Sequence, residues 1–243
     1  VGRRMTTHAD RSDHGPGLVS LVLPCRNQAD HIGDVLPRYL GPLEALGRPF
    51  ELVVVPNAST DATEEVVRDF ARRDPRVRLA VNPLGGWGLS VRTGLEAARG
   101  SVLAYTNTAR TDPALVPEFL RRHLDGGGPL VKARREARHA PLREFGSFLY
   151  NLEARLCFGL RCADVNGTPK VFSRALFESA RLKEPGDLLD LELMVAAHRR
   201  GVPVVEVPVR GFHRHGGKSS TTLKSAWLMY RGAARLRWDR GRE

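Results

Sequence analysis

Apolar residues come in short runs separated by polar stretches with helical spacing. Leu18 to Leu23 is six residues with one polar member, stopped by Pro24; Glu51 to Val55 is four apolar residues behind one acid, stopped by Pro56. Val77 to Val81 and Ser101 to Thr106 repeat the pattern. Runs of this length read as strands buried on both faces. Between them lie helical stretches: about Ala29 to Leu46, Asp61 to Arg73 with Ser59 or Thr60 as N-cap, and Gly88 to Arg99 closed by Gly100 as the glycine after the helix. Strand and helix therefore alternate through the first half. That pattern predicts an α/β fold, a mostly parallel central sheet with helices on both faces and right-handed crossovers. Loops after the strands then share one edge, where open α/β sheets bind ligands.

The second half is less regular. Pro129 to Lys132 reads as a short strand, and "ARREARHAPLRE" as a polar, basic, mobile loop. Phe145 to Phe158 reads as a helix with Phe148, Leu149, Leu152 and Leu156 on one side. "DVNGTPKVF" reads as a turn into a strand, Leu188 to Arg200 as a helix ended by Gly201, and Val202 to Val209 as a strand. From Thr221 to about Trp238 the pattern is helical, with Leu223, Trp227, Tyr230 and Ala234 on one face and Lys224, Arg231, Arg235, Arg237 and Arg240 adding charge. Such a helix suits an anionic membrane surface; it equally suits a helix packed on the domain with its charges in water. Residues 1 to 16 read as a disordered leader, and residues 17 to 243 as a single domain.

Composition sharpens this little. With 42% apolar and 27% charged residues, the 243-residue chain is ordinary globular protein. The formal charge of +11 favours a phosphorylated or polyanionic partner, or merely reflects arginine-rich coding. A nucleic-acid role would rest on that charge alone. Cys25, Cys157 and Cys162 form no CxxC pair, which excludes the usual zinc patterns and points to a reducing cytoplasm. No run approaches the roughly 18 apolar residues of a membrane span.

The edge loops carry the candidate chemistry: "SLVLPCRNQADHI", "ELVVVPNASTDATEEVV", "NPLGGWGLSVRTGLEAARGSVLAYTNTARTDP", and later "DVNGTPKVFSRALF", "DLLDLELMVAAHRRGVPVVEVPV" and "HRHGGKSS". In order and spacing these resemble the family 2 glycosyltransferases of the GT-A fold, nearest the dolichol-phosphate (polyprenyl-phosphate) mannose and glucose synthases. The resemblance runs from about Leu18 to Ser220.

It implies an inverting hexosyltransferase with a nucleotide-diphosphate sugar bound across the first half, contacted near Pro24, Arg26, Asn57 and Gly86 and by the segment of Asn107 and Ala109. The acceptor, a polyprenyl phosphate or a small soluble molecule, would lie in the second half. Asp190 and Glu192 are the family-implied candidates for the base; without the resemblance, they are carboxylates favouring a helix N-terminus. Arg134, Arg143, Lys170, Arg214, Lys218 and Ser219 are the candidates for phosphate or acceptor binding, with Lys170 facing either the pocket or solvent. His213 and His215 lack a companion for a metal site, and Asp112 before Pro113 reads first as an N-cap.

The departures from the family are concentrated on the donor side. Gln28 stands where a glutamate is common, Pro56-Asn57-Ala58 where Asp-Asp-Gly is common, Gly86-Trp87-Gly88 for Gly-Lys-Gly, and Asn107-Thr108-Ala109 for the Asp-x-Asp that holds magnesium or manganese. Neutral amides and hydroxyls are poor sole ligands for such ions. The sequence thus predicts no required cofactor and transfer supported by Arg26, Arg110, Arg214 and Lys218. The alternative is a non-catalytic relative that binds a ligand or partner; nucleotidyl transfer is a third and weaker reading. The expected location is the cytoplasm, with peripheral contact at the inner face of the membrane.

Overall fold

The computed structural model describes residues 17–136 and 141–210, with the side chains of 141–148 left aside. The first-half runs form four parallel strands, β1 (Val19–Cys25), β2 (Phe50–Pro56), β3 (Val77–Leu79) and β4 (Val102–Tyr105). The second half adds β5 (Leu130–Arg135), β6 (Lys170–Ser173) and β7 (Val204–Val209). The sheet order is β3-β2-β1-β4-β6-β5-β7, and β6 is antiparallel to both neighbours.

Alternation along each strand splits the core in two. Val22, Val53, Val55, Leu103 and Phe172 face one side, under α3 (Trp87–Ala97), α5 (Pro141–Phe158), α6 (Arg174–Ala180) and α7 (Leu189–Arg199). Leu21, Leu23, Leu52, Val54 and Val171 face the other, under α1 (Ile32–Glu44), α2 (Thr63–Arg73) and α4 (Val116–Asp125). Each face buries a continuous apolar set, which is why the strands lack polar alternation. Gly94 lets α3 lie close to the sheet: a Cβ there would stand 2.2 Å from a methyl of Val22.

Several boundaries differ from expectation, each for a local reason. β1 and β2 run through Pro24 and Pro56 instead of stopping before them. β4 pairs with β1 only as far as Val22, and β3 with β2 only as far as Val54, so the missing proline N–H falls where no neighbour needs it. α2 starts at Thr63, and neither Ser59 nor Thr60 caps it; Asp61 accepts from the Thr63 amide at 3.1 Å. Gly100 does not terminate α3, which ends at Ala97; it makes room for the Leu18 carbonyl, 2.5 Å from where its Cβ would be.

The segment expected to be a basic loop is mostly regular. Ala133 to Arg135 complete β5 beside β7, and Pro141 opens α5. Among the described side chains of α5, Tyr150 and Ala154 are buried, while Leu149, Leu152 and Leu156 stand 39%, 38% and 74% exposed, so these leucines do not form the core face. α6 was not anticipated; Ser173 caps it by accepting from the Leu176 amide. Gly201 ends α7 at φ 66°, as the pattern predicts. The leader and the C-terminal helical pattern lie outside the described residues. No described helix is long and apolar enough to cross a membrane.

Candidate active site

The strand order reverses between β1 and β4, the place where a doubly wound sheet opens a crevice at its strand ends. The loops there are tied by short polar side chains. Asn27, at φ 49°, accepts from the Thr60 amide at 2.9 Å, and its own amide donates to Ser59. The Gln28 and Ala29 amides donate to Thr63 and Asp61. Burial alone would raise the Asp61 carboxyl, but hydrogen bonds from Thr63 and Ala29 hold it below the usual range. Asn57 accepts from Asn82 at 3.0 Å, joining the ends of β2 and β3. Across the crevice, Gln28 Nε2 lies 3.1 Å from Thr108 Oγ1, which also lies 3.1 Å from the Pro24 carbonyl.

Of the expected donor contacts, Pro24, Asn57, Asn107 and Ala109 therefore already have roles inside this mesh or the core. Asn107 accepts from the Ala109 amide at 3.0 Å, and Ala109 is 7% exposed. Arg26 is exposed at the rim. Gly86, at φ 107°, carries the chain into α3 beneath the Pro185 carbonyl.

These residues do not fit a divalent ion held in the Asp-x-Asp manner. Asn107 spends its oxygen on a backbone amide, Ala109 has no donor atom, and the first carboxylate, Asp112, caps the following 3-10 turn at Ala114. Magnesium and manganese bind through charged oxygens free to coordinate. Among the described residues, no three His, Cys, Asp or Glu side chains gather as a metal cluster.

The second-half candidates meet one another in the interior. Asp190 is 4% exposed; its Oδ1 accepts from Tyr105 at 2.6 Å and from Lys170, and its Oδ2 accepts from Trp87 Nε1 at 3.2 Å. Lys170 is fully buried, so it faces neither an open pocket nor solvent. Its burial lowers its pKa, and the Asp190 charge opposes that shift. Burial and the same carboxylate push the Tyr105 phenol well above its ordinary value. Trp87, Tyr105 and Phe172 continue this contact edge to face, with centroids 6.2 and 6.0 Å apart. Glu192, 1% exposed, accepts from the amides of Lys183 and Glu184 at 2.8 and 2.9 Å and so fixes the loop before α7.

Of the phosphate candidates, Lys170 and Arg134 have described side chains, and each pairs with a different acid. Arg134 pairs with Glu136 at 2.9 Å at the end of β5. Arg143 belongs to α5, and its side chain lies outside the described residues, as do Arg214, Lys218 and Ser219. A second buried charge group braces the 162–169 loop: Lys132 pairs with Glu206 at 3.0 Å, and Arg135 grips Asp164 with two 2.6 Å bonds. Sequence reasoning passed over Asp187, half-buried one helical turn before Asp190. Burial, then the Asp190 charge, raises its pKa. Its signal in sequence was no stronger than that of any acid before a helix.

Comparison with known proteins agrees with this geometry. The family described as "Glycosyl transferase family 2" matches residues 20–179. The undecaprenyl-phosphate 4-deoxy-4-formamido-L-arabinose transferase of Pseudomonas paraeruginosa is 26% identical over 201 residues, covering 82% of this chain and 55% of that protein. Glycosyltransferase AglD of Haloferax volcanii is 31% identical over 202 residues, covering 79% of this chain and 32% of its own. The chain thus spans about half, or a third, of the length of these relatives. Among solved structures, glucosyl-3-phosphoglycerate synthase from Mycobacterium tuberculosis, in complex with Mn2+, UDP and phosphoglyceric acid, superposes with a TM-score of 0.70 at 22% identity, over 90% of this chain and 78% of that one. That likeness establishes the GT-A architecture. With a matching family segment spanning most of the sheet and polar loops at the expected strand ends, the chain belongs to the family 2 glycosyltransferases.

Proposed function

We propose that this domain transfers a sugar from a nucleotide-diphosphate sugar to an acceptor without an Asp-x-Asp ion. The observation that carries the reading is the strand-order reversal between β1 and β4, with amides, hydroxyls and the exposed Arg26 gathered on the edge where this fold binds nucleotides. Preorganised donors and cations can stabilise charge developing on a departing diphosphate. The Pseudomonas relative is named for undecaprenyl phosphate, and the Mycobacterium tuberculosis structure holds phosphoglyceric acid, so a phosphate-bearing acceptor, lipid or soluble, fits the basic chain. A lipid acceptor implies work at the inner face of the membrane, with the domain in the cytoplasm.

The test is a thermal-shift and calorimetric screen of nucleotide-diphosphate sugars, with manganese or with excess chelator, followed by turnover of the best binder. Binding and turnover that persist in chelator support the proposal; absence of nucleotide-sugar binding sinks it. A second reading, a non-catalytic binding protein, is favoured by one observation: the Gln28–Thr108 contact spans the crevice while Asp190 is enclosed by three donors. Binding without turnover in every condition would select it.

A further inference from the structure

We propose that Asp187, not Asp190 or Glu192, takes the proton of an acceptor hydroxyl during transfer. This rests on the transferase reading above and extends it to an acceptor that attacks through a hydroxyl.

A general base has to reach the proton it removes. Asp190 is 4% exposed and surrounded by Tyr105, Lys170 and Trp87, each donating to its carboxylate. Glu192 is 1% exposed and turned back onto two backbone amides. Both carboxylates are anchors. Asp187 is half-buried and, among the described residues, makes no hydrogen bond or ion pair.

Its position is held firmly all the same. The Pro185 carbonyl accepts from the Leu89 amide at 2.9 Å, and Arg92 donates to the Lys183 carbonyl at 3.0 Å. Glu192 secures the amides of Lys183 and Glu184. The Gly86 and Gly88 turn lies directly under Pro185 and Gly186; a Cβ on Gly88 would meet the Gly186 carbonyl at 2.5 Å. Asp187 therefore stands at the seam between the start of α3, on the donor edge, and the first turn of α7. The charge that acts on it is that of Asp190, which pairs with Lys170 behind it; Lys183 and Glu184 lie in its own loop, where Glu192 of α7 and Arg92 of α3 bond the backbone. A carboxylate without donors, beside a second carboxylate, keeps its affinity for a proton.

The step balances. The acceptor O–H proton passes to an Asp187 oxygen, and the freed oxygen pair forms the new bond to the anomeric carbon. The bond from that carbon to the diphosphate breaks, and its electron pair leaves with the nucleoside diphosphate. An acceptor attacking through an already ionised phosphate would need no such base, so the two acceptor chemistries separate experimentally.

The experiment uses the full chain, the best-binding nucleotide sugar from the screen, and water or glycerol as hydroxyl acceptor. Asp187→Asn is expected to bind the donor with unchanged Kd, to melt no lower than the parent, and to lose about 100-fold or more in kcat. It should also lose the acid limb of the pH–rate profile, which Asp187→Glu partly restores. If Asp187→Asn keeps the parental rate and acid limb, or if Asp190→Asn abolishes the limb while Asp187→Asn retains it, Asp187 is not the base. Equal rates with inorganic phosphate as acceptor and an absent acid limb in the parent would also overturn the role. A parent protein that turns over no nucleotide sugar overturns the transferase reading itself, and this role with it.

Discussion

Replacing Asp190 by asparagine tests the buried pair with Lys170. The two side chains are 6% and 0% exposed, so no water can take over when the negative charge is removed. Asparagine keeps one oxygen, for Tyr105, and turns its NH2 toward Trp87 Nε1, so the indole hydrogen bond is lost along with the charge. An ammonium left uncompensated in the interior costs about 3–5 kcal/mol. At roughly 2–4 °C per kcal/mol for a domain of this size, the melting temperature should fall by about 10 °C. The deficit should shrink as pH rises. Burial already lowers the Lys170 pKa, and without Asp190 it falls further, so between the folded and unfolded pKa values the unfolded chain binds more protons and stability climbs with pH. Lys170→Met combined with Asp190→Asn should cost less than the sum of the singles by about 0.5–3 kcal/mol. Urea unfolding of the four proteins at neutral and alkaline pH is the assay. A single Asp190→Asn within about 1 kcal/mol of the parent, set against the 3–5 expected for a broken buried pair, or strict additivity, would refute the reasoning.

Other outcomes follow from the same contacts. Gly88→Ala, whose methyl would stand 2.4 Å from the Glu184 carbonyl, should cost about 1–3 kcal/mol in chemical denaturation and weaken donor binding by displacing the 184–188 loop. Burial would raise the Asp164 carboxyl, but Arg135 and then Lys132 hold it well below the usual range; the stability this supplies is complete above the ordinary carboxylate pKa and lost as pH falls below it, so Asp164→Asn should flatten the acid limb of the stability curve. Asn107→Asp with Ala109→Asp should lower the melting temperature without creating manganese affinity in calorimetry, because residue 109 is 7% exposed and a carboxylate there is buried.

The sequence by itself determined the sheet and the side of it on which the site lies. Continuous apolar runs such as Leu52 to Val55 can only be buried on both faces, and their alternation with helical spacing set the order of elements, even where a proline or glycine misplaced a boundary. The missing acids at Asn107 and Ala109 were legible too, because a one-dimensional motif records which atoms are present. It could not record what those atoms bond to. Only the tertiary structure turned Gln28 toward Thr108, residues 80 positions apart. It also sealed Asp190 beneath Trp87, 103 positions away, and drew Lys170 inside to meet it. Asp190 and Asp187 are both acids at the start of one helix, with the same local pattern. What separates them is burial and donor count, set by strands and loops distant in the chain, and that difference decides which carboxylate anchors the core and which is left to accept a proton.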